Sequence, residues 1–268
     1  MRIVTYDAGD GPRAGVLDGD AVVPLRGGEA GLKKLLTGGG DLVPDGDPVE
    51  GARLLPPVPD PDKIICIGLN YRTHAEEAGI DAPEEPTFFA KFRNALAAPG
   101  AEVSLPAHSR KIDYEAEVAF VIGKRAKDVS LDDALAHVAG YTLLNDLSAR
   151  DWQFKTPQWM PGKVFDGSAP CGPALVTPDE AGPHDAIGLA LDLRGERLQE
   201  ATTADLIHSV PELVSRLSHL MTLEPGDIVA TGTPSGVGGA REPRIWLQAG
   251  DEVVVSSPQL GRLETRLA

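Results

Sequence analysis

Three carboxylates at the ends of two apolar runs are the residues of this sequence best placed to do chemistry. Glu115 and Glu117 stand two apart at the head of the run Val118 to Ile122, and Asp146 follows a second run, Tyr141 to Leu144. A strand has a side-chain period of two, so both glutamates face one side. If the two runs pair in one sheet, the Asp146 carboxylate joins them. Carboxylates without a nearby cysteine or histidine predict a site for a hard divalent cation, Mg²⁺ or Mn²⁺.

The same carboxylates also have a purely structural interpretation. The glutamates could be the solvated face of an edge strand, with Asp146 capping the turn that follows it. The neighbourhood favours the metal site, because Asp113, Arg150 and Asp151 crowd the same strand ends. A cation with three anionic ligands keeps positions for water or substrate, which suits Lewis-acid catalysis.

A second pair of residues has the spacing of a general base with its orienting partner. His74 and Glu77 are three apart and share one face of a helical turn, so the carboxylate can orient the imidazole for deprotonation of a water. A surface ion pair is the alternative. Lys163, in the loop segment MPGKVFDG, is a candidate for neutralising an oxyanion or protonating a carbanion, with a solvated lysine as its alternative.

Polar residues around these groups are candidates for substrate contact. Arg150 and Gln153 lie four and seven residues after Asp146, so a helical turn there would place all three on one side. Arg72 and Thr233 are candidates for holding a substrate carboxylate or oxo group. Three loop residues are candidates for the wall of a distal pocket: Arg72, Lys91 and Trp159.

Composition limits the classes of partner. The 268 residues carry a net charge of -15, which argues against nucleic acid and against an anionic membrane as partners. The segment MRIVTYDAGD lacks the pattern of a signal peptide, and no apolar run has the length of a membrane span, so we expect a cytoplasmic protein. The two cysteines have neither metal-ligand spacing nor the density of a disulfide framework.

The turn and linker residues along the chain predict two domains. Residues 1–25 read as short strands, 29–36 as a short helix, and 41–62 as a proline-rich linker, which places a boundary near residue 60. The predicted domains are therefore 1–60, a small N-terminal α/β module with its linker, and 61–268, a catalytic domain. Many short strands with few helices, one at 211–221, predict a β-rich α+β fold and not a doubly wound parallel sheet.

Six blocks in order resemble the fumarylacetoacetate hydrolase family: GLNYRTHAEEAG, PTFFAKF, DYEAEVAFVIGK, GYTLLNDLSARDWQ, GKVFD and PGDIVATGTPSGVG. The resemblance covers residues 60–268 and points to bacterial members of acylpyruvase or 2-hydroxyhepta-2,4-diene-1,7-dioate isomerase type. It implies a mixed β-sandwich roll with a small N-terminal domain, usually homodimeric. It also implies roles for individual residues: metal ligands Glu115, Glu117 and Asp146, a His74–Glu77 pair in a lid, a catalytic Lys163, and substrate contacts Arg150, Gln153 and Thr233. Phe92 stands where many members have proline, which concerns the substrate-facing wall.

The family resemblance implies several reactions. The first expectation is metal-dependent hydrolysis of a C–C bond in a β-diketo acid, such as an acylpyruvate or a fumarylacetoacetate-like substrate. The alternatives are decarboxylation or tautomerisation of oxaloacetate and isomerisation of an unsaturated 2-oxo diacid. An alternative of another class is a non-catalytic protein that binds a 2-oxo acid or a cation.

Overall fold

A computed structural model describes all 268 residues, and its N-terminal part is a small antiparallel meander. Its elements are β1 (Arg2–Asp7), β2 (Pro12–Asp18), β3 (Ala21–Pro24), α1 (Leu32–Gly38), β4 (Val49–Glu50) and β5 (Leu54–Leu55). The short strands predicted for residues 1–25 are present as β1, β2 and β3. The helix begins at Leu32 and not at Glu29, because Gly28–Ala30 form a separate 3-10 turn before Gly31. The proline-rich segment also holds two short strands that pair with β3 and β1.

Strands dominate the remainder of the chain, as the sequence pattern of many short strands and few helices predicted. They are β6 (Ile64–Gly68), β7 (Thr87–Lys91), β8 (Leu96–Ala97), β9 (Glu102–Val103), β10 (Ile112–Asp113), β11 (Ala116–Ile122), β12 (Val138–Asn145), β13 (Ser148–Ala149), β14 (Ala169–Val176), β15 (Gly188–Leu193), β16 (Glu196–Thr202), β17 (Ile228–Ala230), β18 (Glu252–Ser257) and β19 (Gly261–Leu267). The helices are α2 (Arg72–Ala78), α3 (Arg150–Gln153), α4 (Pro178–Ala181) and α5 (Val210–Leu220). The β-rich α+β class is confirmed.

Two packed sheets organise these strands. The larger has twelve strands in the order β4-β3-β2-β1-β14-β12-β11-β17-β6-β7, with β5 beside β1 and β8 beside β14. The smaller has the order β16-β15-β18-β19-β9, and β10 and β13 form a separate pair. The N-terminal strands extend the larger sheet through the β1–β14 pairing. A division into domains near residue 60 stays a prediction.

The strand β11 lies inside both cores of the protein. Its residues Val118, Phe120 and Ile122 belong to the main core of 36 buried residues, which includes buried residues of the smaller sheet. Ala119 and Val121 face the opposite side and belong to a second core of 17 buried residues. This alternation is the period of two expected for a strand buried on both faces.

The helices cover this framework. Helix α5 begins with a capping box in which Ser209 and Glu212 satisfy each other's backbone donors, and it packs Leu213, Val214 and Leu217 into the main core. Helix α2 ends at Ala78 and is capped by Gly79, which adopts a left-handed conformation. No helix is both long enough and apolar enough to cross a membrane.

Candidate active site

The pairing of β11 with β12 brings the three predicted carboxylates together. Ala116 lies opposite Asn145, and the backbone N–H of Asp146 donates to the carbonyl of Glu115 at 2.9 Å. One carboxylate oxygen each of Glu115, Glu117 and Asp146 lies within 4.8 Å of the others, and all three residues are buried. We call these three residues the carboxylate floor. Their burial excludes the alternative that they are the solvated face of an edge strand.

A tight backbone approach fixes Glu117 in the floor. Glu117 Oε2 accepts a hydrogen bond from the N–H of Gly232 at 2.8 Å. Gly232 has φ +98°, and a Cβ there would lie 2.9 Å from the carbonyl oxygen of Ile67. A residue with a side chain would therefore be strained at this position and would move the N–H away from Glu117.

Two buried lysines and the half-buried Arg150 surround the floor. Lys163 Nζ lies 2.7 Å from both Glu115 Oε2 and Asp146 Oδ2, and Arg150 Nη2 lies 2.6 Å from Glu115 Oε1. Lys91 Nζ lies 2.8 Å from Asp146 Oδ1 and also contacts the carbonyl oxygens of Ser168 and Lys163. Lys163 is therefore a buried member of the site and not a solvated loop residue.

The surrounding charges shift the pKa values of two floor carboxylates in opposite directions. Burial opposes ionisation of Glu115, but Lys163 and Arg150 outweigh it and lower its pKa to about 2. Burial, reinforced by the charges of Asp146 and Glu115, raises the pKa of Glu117 well above its ordinary value. The pKa of Lys163 is raised, because its two carboxylate partners outweigh the effect of burial.

The environment of Glu117 indicates that the floor can bind a divalent cation. This carboxylate is 1% exposed and forms no ion pair, whereas Glu115 and Asp146 are each paired with cationic side chains. A buried carboxylate without a counter-charge is costly, and a metal ion bound beside it removes that cost. An all-oxygen donor set suits Mg²⁺ or Mn²⁺. Glu115, Glu117 and Asp146 could therefore hold such an ion.

Arg150 and Gln153 lie together, but the predicted helical turn from Asp146 through both residues is wrong. Residues 148 and 149 form the extended strand β13, which pairs with β10, and helix α3 begins only at Arg150. Arg150 Nη1 donates to Gln153 Oε1 at 2.9 Å, and its Nε donates to Asp113 Oδ2 at 2.8 Å. The strand pairing and the Asp113 contact, and not a continuous helix, aim Arg150 at the floor.

The His74–Glu77 pair forms on α2 as its spacing predicts. His74 Nδ1 lies 3.1 Å from Glu77 Oε2, and Glu77 Oε1 accepts from the N–H of Gly236 at 2.8 Å. Burial opposes the ionisation of Glu77, but the hydrogen bonds with His74 and Gly236 outweigh it, so its pKa is lowered. An ionised carboxylate only accepts hydrogen bonds, so Nδ1 carries the proton and Nε2 of the neutral ring keeps a lone pair.

A cavity of about 430 Å³ joins the His74–Glu77 pair, which we call the dyad, to the carboxylate floor. Among the predicted residues, it is lined by His74, Glu115, Glu117, Arg150, Gln153, Trp159, Lys163 and Thr233. Glu77 and Asp146 are not among the lining residues, but they contact His74 and Lys163, which are.

Two predicted pocket residues do not line the cavity. Arg72 is exposed, because residues 74 and 78 give α2 its cavity-facing side and position 72 lies on another side of the helix. Lys91 is buried beneath Asp146 and so does not shape a distal wall.

Sequence reasoning missed Gln199, which bridges the two sheets behind the site. Gln199 Oε1 accepts from the N–H of Ala116, between the two glutamates, and Gln199 Nε2 donates to Thr233 Oγ1. A register shift between β15 and β16 buries the neighbours Leu198 and Gln199 together, which a strict period of two does not predict. Its sequence surroundings give no signal of this role.

Comparison with known proteins assigns the chain to a family. The model for the fumarylacetoacetate (FAA) hydrolase C-terminal domain matches residues 63–268, and the model described as Rv2993c-like, N-terminal matches residues 1–57. The first match covers the carboxylate floor, the dyad and Lys163. The chain belongs to the fumarylacetoacetate hydrolase family. Members of this family are enzymes that act on small-molecule acids.

Three similar proteins illustrate the range of reactions in the family. The chain is 45% identical over 210 residues to a Bos taurus protein named oxaloacetate tautomerase FAHD2B, mitochondrial, covering 77% of this chain and 67% of that protein. It resembles the fumarylacetoacetate hydrolase of Exiguobacterium antarcticum at a TM-score of 0.90 and 31% identity, covering 100% and 99% of the two chains. It resembles 5-carboxymethyl-2-hydroxymuconate delta-isomerase from Mycobacterium smegmatis at 0.85 and 32%, with the same coverage.

Proposed function

We propose that the protein catalyses enolisation of a 2-oxo acid at the carboxylate floor, with tautomerisation of oxaloacetate as the first candidate reaction. The observation that carries the proposal is the convergence of a metal-compatible floor, the cations Lys163 and Arg150, and the His74 imidazole on one cavity. Enolisation needs a base for a carbon-bound proton and positive charge near the carbonyl oxygen. The relative named oxaloacetate tautomerase supports this choice of substrate.

Residues at the cavity wall would bind and orient the 2-oxo acid. Arg150, Gln153 and Thr233 offer hydrogen-bond donors for the substrate carboxylate, and Lys163 offers its ammonium group to the oxygen on which charge develops. Glu115, Glu117 and Asp146 would hold Mg²⁺ or Mn²⁺, and the bound ion supplies Lewis-acid stabilisation of that oxygen. Arg72 is exposed outside the cavity, and we do not include it among these contacts.

Proton transfer would be the task of the His74–Glu77 dyad. The Nε2 lone pair of His74 takes a proton from C3 of oxaloacetate, the electron pair forms the C2–C3 double bond, and Lys163 delivers a proton to the C2 oxygen. Glu77 keeps the opposite ring nitrogen protonated throughout. After the enol leaves, His74 loses its extra proton to solvent and Lys163 regains one from solvent, so the two groups are reset without a co-reactant. The reverse sequence regenerates the keto form.

Hydrolysis of a C–C bond in an acylpyruvate is the second candidate, and the size of the cavity favours it. The cavity extends past the floor along apolar residues that include Ile80, Phe154, Trp159 and Trp246, which offers room for an acyl group that oxaloacetate lacks. His74 would then deprotonate a water that attacks the distal carbonyl. Cleavage of the C–C bond releases a carboxylic acid and the enolate of pyruvate, which a proton from Lys163 converts to the enol.

A parallel assay tests these proposals. Metal-depleted protein and protein supplied with Mg²⁺ or Mn²⁺ would each be given oxaloacetate and acetylpyruvate, and loss of the enol absorbance would be followed. We expect metal-dependent turnover of oxaloacetate with no release of CO₂, and release of CO₂ would indicate decarboxylation instead. Release of acetate from acetylpyruvate would establish hydrolysis. Turnover of neither would contradict both candidates and direct attention to an unsaturated 2-oxo diacid or to a binding function.

We further propose that the protein is a cytoplasmic homodimer. The outer strand β7 of the larger sheet leaves Phe88 41% exposed, and Phe92 just beyond it is 52% exposed, which suits burial against a second copy. Light scattering after size-exclusion chromatography should give twice the 28.2 kDa chain mass. A mass of one chain would contradict the proposal.

A further inference from the structure

Gln199 is almost completely enclosed, and three groups of the site surround it. The residue is 2% exposed and lies on β16, in the smaller sheet. Its Oε1 accepts from the Ala116 N–H at 3.0 Å. Its Nε2 donates to Thr233 Oγ1 and to the carbonyl oxygen of Pro234, each at 2.9 Å. Every polar atom of the side chain is therefore engaged.

These partners allow only one orientation of the Gln199 amide. The Ala116 N–H is a donor and requires an oxygen opposite it, whereas the Pro234 carbonyl is an acceptor and requires the NH₂ group. A flipped amide would set donor against donor at Ala116 and acceptor against acceptor at Pro234. The NH₂ group has two hydrogens, so one goes to Pro234 and the other to Thr233.

The fixed amide determines the polarity of the Thr233 hydroxyl. Because Gln199 donates to Thr233 Oγ1, that oxygen is used as an acceptor within the protein. The bond from Gln199 is the only hydrogen bond of Oγ1, so the hydroxyl proton remains available. Thr233 is 4% exposed and lines the cavity. The proton has a natural acceptor only in a molecule bound there.

We propose that Gln199 is a positioning residue that makes the Thr233 hydroxyl a hydrogen-bond donor to the carboxylate of a bound 2-oxo acid. The inference rests on the proposed function only in that the cavity binds such an anion. Gln199 touches no substrate and acts through Thr233. A carboxylate accepts but does not donate, so a hydroxyl with the opposite polarity would present a lone pair and repel it.

Gln199→Glu is the sharpest test, because it keeps the shape of the side chain and reverses one group. The new carboxylate still accepts from the Ala116 N–H, but it takes the Thr233 proton instead of donating to Oγ1, and it also loses the bond to the Pro234 carbonyl. Calorimetry with oxalate, on protein saturated with Mg²⁺, should show affinity about tenfold or more below wild type, the range for a hydrogen bond to a charged group. Thr233→Val should lose a similar amount, and Thr233→Ser should retain wild-type affinity.

The double variant separates an effect through Thr233 from a direct effect of charge. If Gln199 acts through the hydroxyl, Gln199→Glu should cause little further loss in the Thr233→Val background. Multiplied losses would overturn the proposal and indicate direct repulsion of oxalate by the new charge. Wild-type oxalate affinity in either single variant would also overturn it.

Folding and function are checked by separate measurements. The melting temperature of the metal-free protein should fall modestly in Thr233→Val, because one N–H of Gln199 loses its acceptor, but the variant should still unfold cooperatively. Mg²⁺ affinity should be retained in both single variants. If wild type binds oxalate but turns over no 2-oxo acid, the proposed function fails while the positioning role stands or falls on the double variant. If wild type does not bind oxalate at all, both proposals fail.

Discussion

The carboxylate floor and the His74–Glu77 dyad face one cavity but are built in opposite ways. The floor lies on two paired central strands, its residues are at most 5% exposed, and three cations surround it. The dyad lies on α2, a helix of seven residues whose only buried member is Ala75. The His74 and Glu77 side chains remain 15% and 22% exposed, and the Gly236 N–H is their one tie to the opposite loop.

This difference separates a rigid candidate metal site from a less firmly held candidate base. The hydrogen bonds between the paired strands fix the positions of the three carboxylates, so the ligand atoms are in place before a metal or substrate binds. A short helix with one buried residue and one loop contact is easily displaced, because local stability follows buried contacts. We therefore expect changes in the floor to affect binding of metal, and changes in the dyad to affect turnover alone.

The largest expected effect comes from Glu117→Gln. The amide oxygen can still accept from Gly232, but the charge that lacks a cationic partner is gone. Affinity for Mg²⁺ or Mn²⁺, measured by calorimetry, should fall by at least about 100-fold, because even groups that only support metal ligands contribute 10–100-fold. The metal-free variant should melt at or above the wild-type temperature, since a costly buried charge has been removed.

His74→Ala provides the matched variant on the other side of the cavity. Its metal affinity should equal that of wild type, while turnover of the accepted substrate should fall roughly 10²–10⁴-fold, the usual contribution of a general base. Equal losses of metal affinity in the two variants would remove the proposed division between floor and dyad. Full turnover by His74→Ala would exclude the dyad from catalysis.

Glu77→Gln should have a smaller effect by reversing the tautomer of His74. If the amide oxygen continues to accept from Gly236, the NH₂ group faces Nδ1 and stabilises the ring with its proton on Nε2. The lone pair needed by the base is then on the wrong nitrogen. Turnover should fall about 10- to 100-fold with metal affinity unchanged. A variant as active as wild type would show that Glu77 does not select the tautomer.

The floor was predictable because local rules and global pairing agree there. Two glutamates at a spacing of two, followed by a strand and an aspartate after the next strand, require only antiparallel pairing to converge, and β11 and β12 pair in that way. The spacing of His74 and Glu77 likewise predicts their contact on α2. In each case the information lies within one or two neighbouring elements.

The residues that the sequence did not reveal depend on contacts between distant elements. Gln199 reaches the site because a bulge turns it inward from the other sheet, 83 residues from its partner Ala116. Lys91, the buried last residue of β7, contacts Asp146, which follows β12 and lies 55 residues later in the chain. The predicted turn from Asp146 to Gln153 failed for the same reason, since β10 captures residues 148 and 149 as a strand.

The smallest expected effect is on the acid stability of the metal-free protein. The pKa of Glu77 is lowered in the folded state from its ordinary value of 4.5, so between the two values the unfolded chain binds more protons. The stability that Glu77 contributes is thus fully present above pH 4.5 and is lost as the pH falls through its folded-state pKa. The melting temperature of wild type should exceed that of Glu77→Gln by a small, constant amount near neutral pH, and the gap should close in acid. Glu115 has a pKa of about 2, so its contribution to stability should persist to a lower pH than that of Glu77. The melting-temperature difference between wild type and Glu115→Gln should therefore remain in part below pH 4.5. If the melting-temperature difference between wild type and Glu77→Gln instead widened in acid, the fold would not be stabilising the charged form of Glu77. Glu77 would then resemble Glu117, whose pKa burial raises.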